Sequence, residues 1–109
     1  MVLKGYAAQC SKILAVAMLS LGAGATEFAP GEVVERFCAA CHERGIANAP
    51  RIDQVSDWQS RLEMSSLEEI IARGWAGNRR MPPKGYCTRC TEEDFAAAVQ
   101  EMLPEQLLP

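Results

Sequence analysis

Two thiols three positions apart, with an imidazole directly after the second, occur once in this chain, as Cys38-Ala39-Ala40-Cys41-His42. Covalent haem attachment requires that set: each sulfur joins one vinyl group of the porphyrin, and the histidine reaches the iron from one face. A bare cysteine pair at this spacing is more often a metal clip, a redox dithiol or a structural disulfide. The adjoining histidine changes that weighting, because the chain has 1 histidine and it stands here. A satisfied core histidine is the plainer alternative, but it leaves the two neighbouring cysteines unexplained.

The 109 residues hold one domain, and the first of them read as a secretory signal. Lys4 and Lys12 form a positive leader, Ile13 to Leu21 a short apolar core, and Ala23-Gly24-Ala25 a small-residue cleavage site before Thr26. The apolar run is too short to span a bilayer comfortably, so cleavage is the reading, with an uncleaved anchor as the alternative. Residues 1–25 are then the signal, carrying Cys10 away, and residues 26–109 are the working domain. Its 84 residues make a thin core that needs a staple, which a covalent cofactor provides and a second cysteine pair, Cys87 and Cys90, adds to. An oxidising compartment favours a disulfide there over free thiols. Losing Lys4 and Lys12 takes 11 basic residues against 14 acidic to 9 against 14, or −3 to −5, a balance that does not suggest nucleic-acid binding.

Helical periodicity positions these groups. Gly31 to Phe37 reads as the helix that delivers the cysteines, with Val33, Val34 and Phe37 on one face and Glu32 at the positive end of the dipole. Gly45 to Asp53 has no period and is a loop, and the Pro50 carbonyl is the candidate to accept the second ring N–H of His42. Two short helices follow, about Asp57 to Glu63 and Leu67 to Arg73. Ser56-x-x-Gln59 and Ser66-x-x-Glu69 give each a capping box, and Gly74 stops the second. Trp58 and Leu62, then Leu67, Ile70 and Ile71, form their apolar faces. Trp75 to Arg89 has no helical period and two prolines directly after Met81, so it is a long loop that is stiff at the methionine. Such a loop suits a thioether presented at a fixed height, although gap-filling in the core is the plainer role of a methionine. Met64 and Met102 lie in helical stretches and fit apolar faces. Thr91 caps a last helix reaching about Leu103, with Phe95, Ala98, Val99, Met102 and Leu103 in register, and Pro104 ends it. The closing Glu105 to Pro109 has no readable role.

Taken together, CAACH, Gly45, Ala49-Pro50, Trp58, Arg61, Met81-Pro82-Pro83-Lys84-Gly85, Cys87-Thr88-Arg89-Cys90 and the closing helix resemble a class I c-type cytochrome, nearest the small bacterial cytochrome c-five subgroup. The likeness runs from about Gly31 to Leu103. It implies an all-α fold, about four short helices around one haem c joined to Cys38 and Cys41, with His42 and Met81 as iron ligands. It also implies a Cys87–Cys90 disulfide beside the methionine loop, Pro50 supporting His42, and Trp58 and Arg61 near a haem propionate. One departure concerns packing. Where the family has an aromatic pair between the first and last helices, this chain has Val34 and Glu101, which leaves Phe37 or Phe95 to make the contact.

A His–Met iron has no open position for a substrate, so the expected function is electron transfer in the bacterial periplasm, without enzymatic activity or a small-molecule substrate. Expected partners are redox proteins, membrane complexes among them, served by a monomer or weak dimer. Between Ile70 and Thr91 every charged residue is basic: Arg73, Arg79, Arg80, Lys84 and Arg89. Acidic docking patches on those partners are the expected complement. The alternatives are a haem sensor or peroxidase-like protein with a labile Met81, and a zinc module built from Cys38, Cys41, Cys87 and Cys90, whose spacing is far from that of zinc ribbons.

Overall fold

The computed structural model describes residues 28–109, so the segment read as a signal, with Cys10, lies outside the described residues. Among the described residues every regular element is helical, in agreement with the all-α expectation.

A continuous helical run opens the domain: α1 (Pro30–Val33), a π-helical turn (Val34–Cys38) and α2 (Ala39–His42). Pro30 starts it, since a first-turn residue has no intrahelical use for an N–H. Glu32 and Arg36, four apart, pair across the exposed side at 2.9 Å. The π-turn matters for position, because its extra residue shifts the register just before the cysteines. Cys38 and His42, again four apart, end on the buried side while Cys41 is exposed.

Helices α3 (Val55–Met64) and α4 (Leu67–Ala76) follow, and α5 (Glu92–Met102) closes the domain. Two sequence expectations need correction here. Ser56 does not cap α3: the Gln54 carbonyl already accepts from the N–H groups of Asp57 and Trp58, so Gln54 holds the cap position and Ser56 lies inside the first turn. Nor does Gly74 stop α4. The helix continues through Trp75 and ends at Gly77, while Gly74 faces inward, where a Cβ would lie 2.8 Å from Cζ of Phe95. Gly74 is therefore a close-approach residue within a helix rather than its terminator.

Ser66 and Thr91 each cap their helix as expected, accepting from the N–H groups of Glu69 and Asp94, whose carboxylates accept in return from the cap N–H. Ser66→Ala is expected to cost about 1 kcal/mol, or about 4–8 °C in melting temperature for a domain of this size. Ser56→Ala is expected to leave the melting temperature within about 2 °C, because no cap is lost. Thermal denaturation of both variants tests the assignment.

The core joins Val33, Val34 and Cys38 of the first run to Trp58 of α3 and to Phe95, Ala98, Val99 and Met102 of α5. Thus α1 does pack on α5, without the aromatic contact expected of Phe37 or Phe95. Phe37 meets Phe28 edge-on at 6.3 Å, and Phe95 meets Trp75 at 5.9 Å. A Cβ on Gly31 would lie 3.9 Å from Oε1 of Glu101, and Val33, Val34 and Ala98 share the buried core. The C-terminal residues also acquire a role: Pro104 is buried, and a 3-10 turn, Glu105–Leu107, packs against α3.

Candidate functional site

His42 is buried, and among the described residues its ring has one hydrogen bond, Nδ1 to the Pro50 carbonyl at 2.7 Å. A carbonyl only accepts, so Nδ1 carries the proton and the Nε2 lone pair remains for another use. Burial lowers the pKa of the imidazole, the Pro50 carbonyl opposes that shift, and the Arg61 charge adds to it. The net direction favours the neutral ring, which is the form that ligates metal. The Pro50 loop is held in turn by Ile52, whose N–H donates to the His42 carbonyl at 2.8 Å.

Trp58 lies nearly parallel to His42, with ring centroids 6.4 Å apart and planes 12° apart, and donates its indole N–H to the Arg51 carbonyl at 2.9 Å. Arg51 also clamps Asp57 through its backbone N–H and Nε, holding that carboxyl down at a pKa of about 2. Arg61 donates to the carbonyls of Asp57 and Asn48. Of the pair expected beside a propionate, Trp58 has its indole N–H committed to Arg51, and Arg61 retains N–H donors.

Met81 enters from the loop after α4, where Asn78 fixes its backbone. The Asn78 side-chain oxygen accepts from the N–H groups of Arg80 and Met81 at 3.0 and 3.2 Å, and the Asn78 N–H donates to the Met81 carbonyl at 2.9 Å. That turn was legible in principle, since asparagine commonly bonds the backbone two residues ahead. After Pro82 a 3-10 turn, Pro83–Tyr86, returns the chain to α4, and the Cys87–Cys90 disulfide, with Cα atoms 5.4 Å apart, closes the loop on α5.

His42 and Met81 line one cavity of about 240 Å³, whose walls include Trp58, Phe95, Val99 and Met102. Arg61, Arg73 and Arg80 also border it. The two cysteines expected to attach a haem do not: Cys38 is buried in the core, which pushes its thiol pKa up to about 11, and Cys41 faces solvent. They are not bonded to each other. With Cys87 and Cys90 bonded as a disulfide, the zinc alternative fails, and among the described residues no three His, Cys, Asp or Glu side chains cluster as metal ligands.

This donor set fits a haem. One uncommitted imidazole nitrogen and one thioether border the same apolar-walled space, and two unbonded thiols precede the imidazole by one and four residues. Comparison with known proteins points the same way. A protein-family model described as "Cytochrome C oxidase, cbb3-type, subunit III" matches residues 28–100. Cytochrome c5 of Azotobacter vinelandii is 35% identical over 72 residues, covering 65% of this chain and 87% of that protein. Cytochrome c5 of Ectopseudomonas mendocina is 33% identical over 84 residues, 76% of this chain and 94% of that one. A chain in the "Crystal structure of electron transfer complex of nitrite reductase with cytochrome c" superposes with a TM-score of 0.61 at 28% identity, covering 71% of this chain and 93% of that chain.

Proposed function

The chain belongs to the class I c-type cytochromes of the cytochrome c5 kind, which carry one covalent haem c with its iron, and from that premise we propose that it is a periplasmic carrier of single electrons, exported on residues 1–25 and working as residues 26–109. Haem c supplies a one-electron iron couple. In this reading Cys38 and Cys41 would hold the porphyrin through their sulfurs, and His42 Nε2 and the Met81 sulfur would be the protein's donors to its iron. Pro50 fixes the imidazole plane and Asn78 fixes the methionine backbone, so neither ligand has to be ordered when the iron changes charge. Trp58, Phe95 and Val99 exclude water, and Arg61 stands ready for an ionised edge group of the cofactor.

The observation that carries this reading is that an uncommitted His42 nitrogen and the Met81 side chain border one cavity. With His42 and Met81 both committed to the iron, the protein would leave no position open to a substrate or gas, which supports a carrier over an enzyme. The test is carbon monoxide added to the reduced holoprotein without denaturant. No spectral change is the expected result, and a shifted Soret band would favour a haem sensor or peroxidase-like protein instead. The mass of the exported protein reports whether it begins at Thr26.

The relative's complex with nitrite reductase supports redox proteins as partners. Arg73, Arg79, Arg80 and Arg89 are exposed, Lys84 is half-buried, and Arg73 and Arg80 reach the cavity, so the basic stretch borders the route by which an electron would leave. Carboxylate-rich docking patches complement it. Oxidation by hexacyanoferrate(III), an anion standing in for such a patch, is expected to slow as salt rises. The double substitution Arg79→Glu, Arg80→Glu is expected to slow it about ten-fold at low salt. Equal rates for both proteins, or rates independent of salt, would remove the basic rim from the function.

A further inference from the structure

The turn after Pro82 contains three successive residues in the left-handed region, Lys84 (φ 57°), Gly85 (φ 58°) and Tyr86 (φ 67°). Glycine takes this conformation freely, but an aromatic side chain rarely does. The Tyr86 carbonyl accepts from the Thr88 N–H, but its side chain gains little from the fold in return. It is 74% exposed, and its hydroxyl has no hydrogen-bond partner among the described residues. An exposed aromatic held in an unfavourable backbone conformation points outward to a role, since packing does not account for it.

Its surroundings narrow that role. Lys84, two residues earlier on the same turn, holds its ammonium 4.3 Å from the centre of the Trp75 ring, so this charge has a fixed position. Gly85 packs closely enough that a Cβ there would lie 3.8 Å from the Met81 methyl carbon and 3.7 Å from the Phe37 carbonyl. Tyr86 is therefore an exposed aromatic one residue from Gly85, which lies beside the Met81 methyl group, in a stretch whose charges are all basic from Ile70 to Thr91.

We propose that Tyr86 is the apolar anchor of a docking face on the Met81 side, seating in a shallow apolar recess of a redox protein whose rim is rich in carboxylates. The proposal rests on the carrier reading and deepens it. Charge complementarity selects the partner: the anchor shares its turn with Lys84, and every charged residue from Ile70 to Thr91 is basic, so an acidic rim complements this segment. The basic residues then steer the encounter, and Tyr86 sets how long the complex lasts.

Two variants separate anchoring from folding. Tyr86→Gly suits the left-handed backbone and removes the ring, and Tyr86→Asn keeps a polar side chain that tolerates the same backbone. The probes are two gold surfaces, one coated with carboxylate-terminated alkanethiols and one with a mixture of carboxylate- and methyl-terminated alkanethiols. Bound mass is read on a quartz microbalance and the redox wave by voltammetry. On the mixed layer both variants are expected to bind about ten-fold more weakly than the native holoprotein, and on the pure carboxylate layer all three are expected to bind alike. Variants that match the native protein on the mixed layer overturn the proposal. Equal loss on both layers also overturns it, by assigning Tyr86 to support of the basic rim. So does native self-association that the variants lack in sedimentation, which would make a second copy the occupant. The carrier reading fails separately, through a haem-loaded protein that binds either surface and gives no reversible wave.

Discussion

Replacing Met81 with leucine is expected to abolish the long-wavelength charge-transfer band of the ferric protein, lower the reduction potential, and let the reduced protein bind carbon monoxide. The melting temperature of the protein part should change little by comparison. Leucine has nearly the volume of methionine and is tolerated in most packed sites, so it keeps the cavity wall and removes only the sulfur lone pair. Methionine ligation raises the potential of a haem iron, which fixes the direction of the second change. Met81→Ala would lose the same signatures and also about 2 kcal/mol of packing, because Met81 is half-buried against the core. The two variants together separate ligation from filling. If Met81→Leu retains the band and excludes carbon monoxide, Met81 is a core residue, and another group completes the iron.

Gly77→Ala is expected to be the most damaging single change outside the proposed ligands. Gly77 has φ 81° and ψ 159°, a region essentially closed to any residue with a Cβ. A Cβ there would lie 2.7 Å from three atoms of Pro83, its backbone nitrogen included, so no flexible side chain can move aside. Backbone strain and overpacking each cost about 1–3 kcal/mol, and together they are expected to remove about 3 kcal/mol or more of stability. The damage should also reach the site. Gly77 N–H donates to the Arg73 carbonyl at 2.9 Å, which ends α4, and the next residue is Asn78, which holds the Met81 backbone. Denaturant titration measures the loss, and the charge-transfer band of the surviving folded fraction reports whether Met81 has moved. An unchanged midpoint would show that the loop accommodates a side chain there and that Gly77 does not define it. Gly74→Ala should also destabilise the fold, by a different route. Its backbone is helical, so alanine is locally favourable, but the added Cβ meets the Phe95 ring.

The contrast between those two glycines shows how far the sequence could be read. Gly74 is the first glycine after an amphipathic run, and local rules place a helix end there. It lies inside the helix because the Phe95 ring from α5, about twenty residues on, needs the room that only glycine leaves, and a local pattern carries no sign of that neighbour. The same limit applies to Ser56. Its capping box is a local signal, whereas the start of α3 is set by Trp58 reaching back to the Arg51 carbonyl and Asp57 reaching back to the Arg51 guanidinium. Where the controlling contacts are three residues apart, as at Ser66–Glu69, reading and structure agree.

By itself the sequence determined the helical class and the family, and it singled out the CAACH motif. These depend on residues close together in the chain: a cysteine pair with its histidine, capping boxes of four residues, a methionine stiffened by two prolines. The His42–Pro50 contact, across eight residues, is near the limit of that range. Only the tertiary structure decided what occupies the space between helices. It brought Gly31 up to Glu101, gave the C-terminal turn a place on α3, committed the Trp58 indole N–H to Arg51, and set Tyr86 outward on a left-handed turn. The physical reason is that packing depends on the volume left by residues distant in sequence. A periodic pattern shows which face of a helix is buried and leaves open which side chain it will meet.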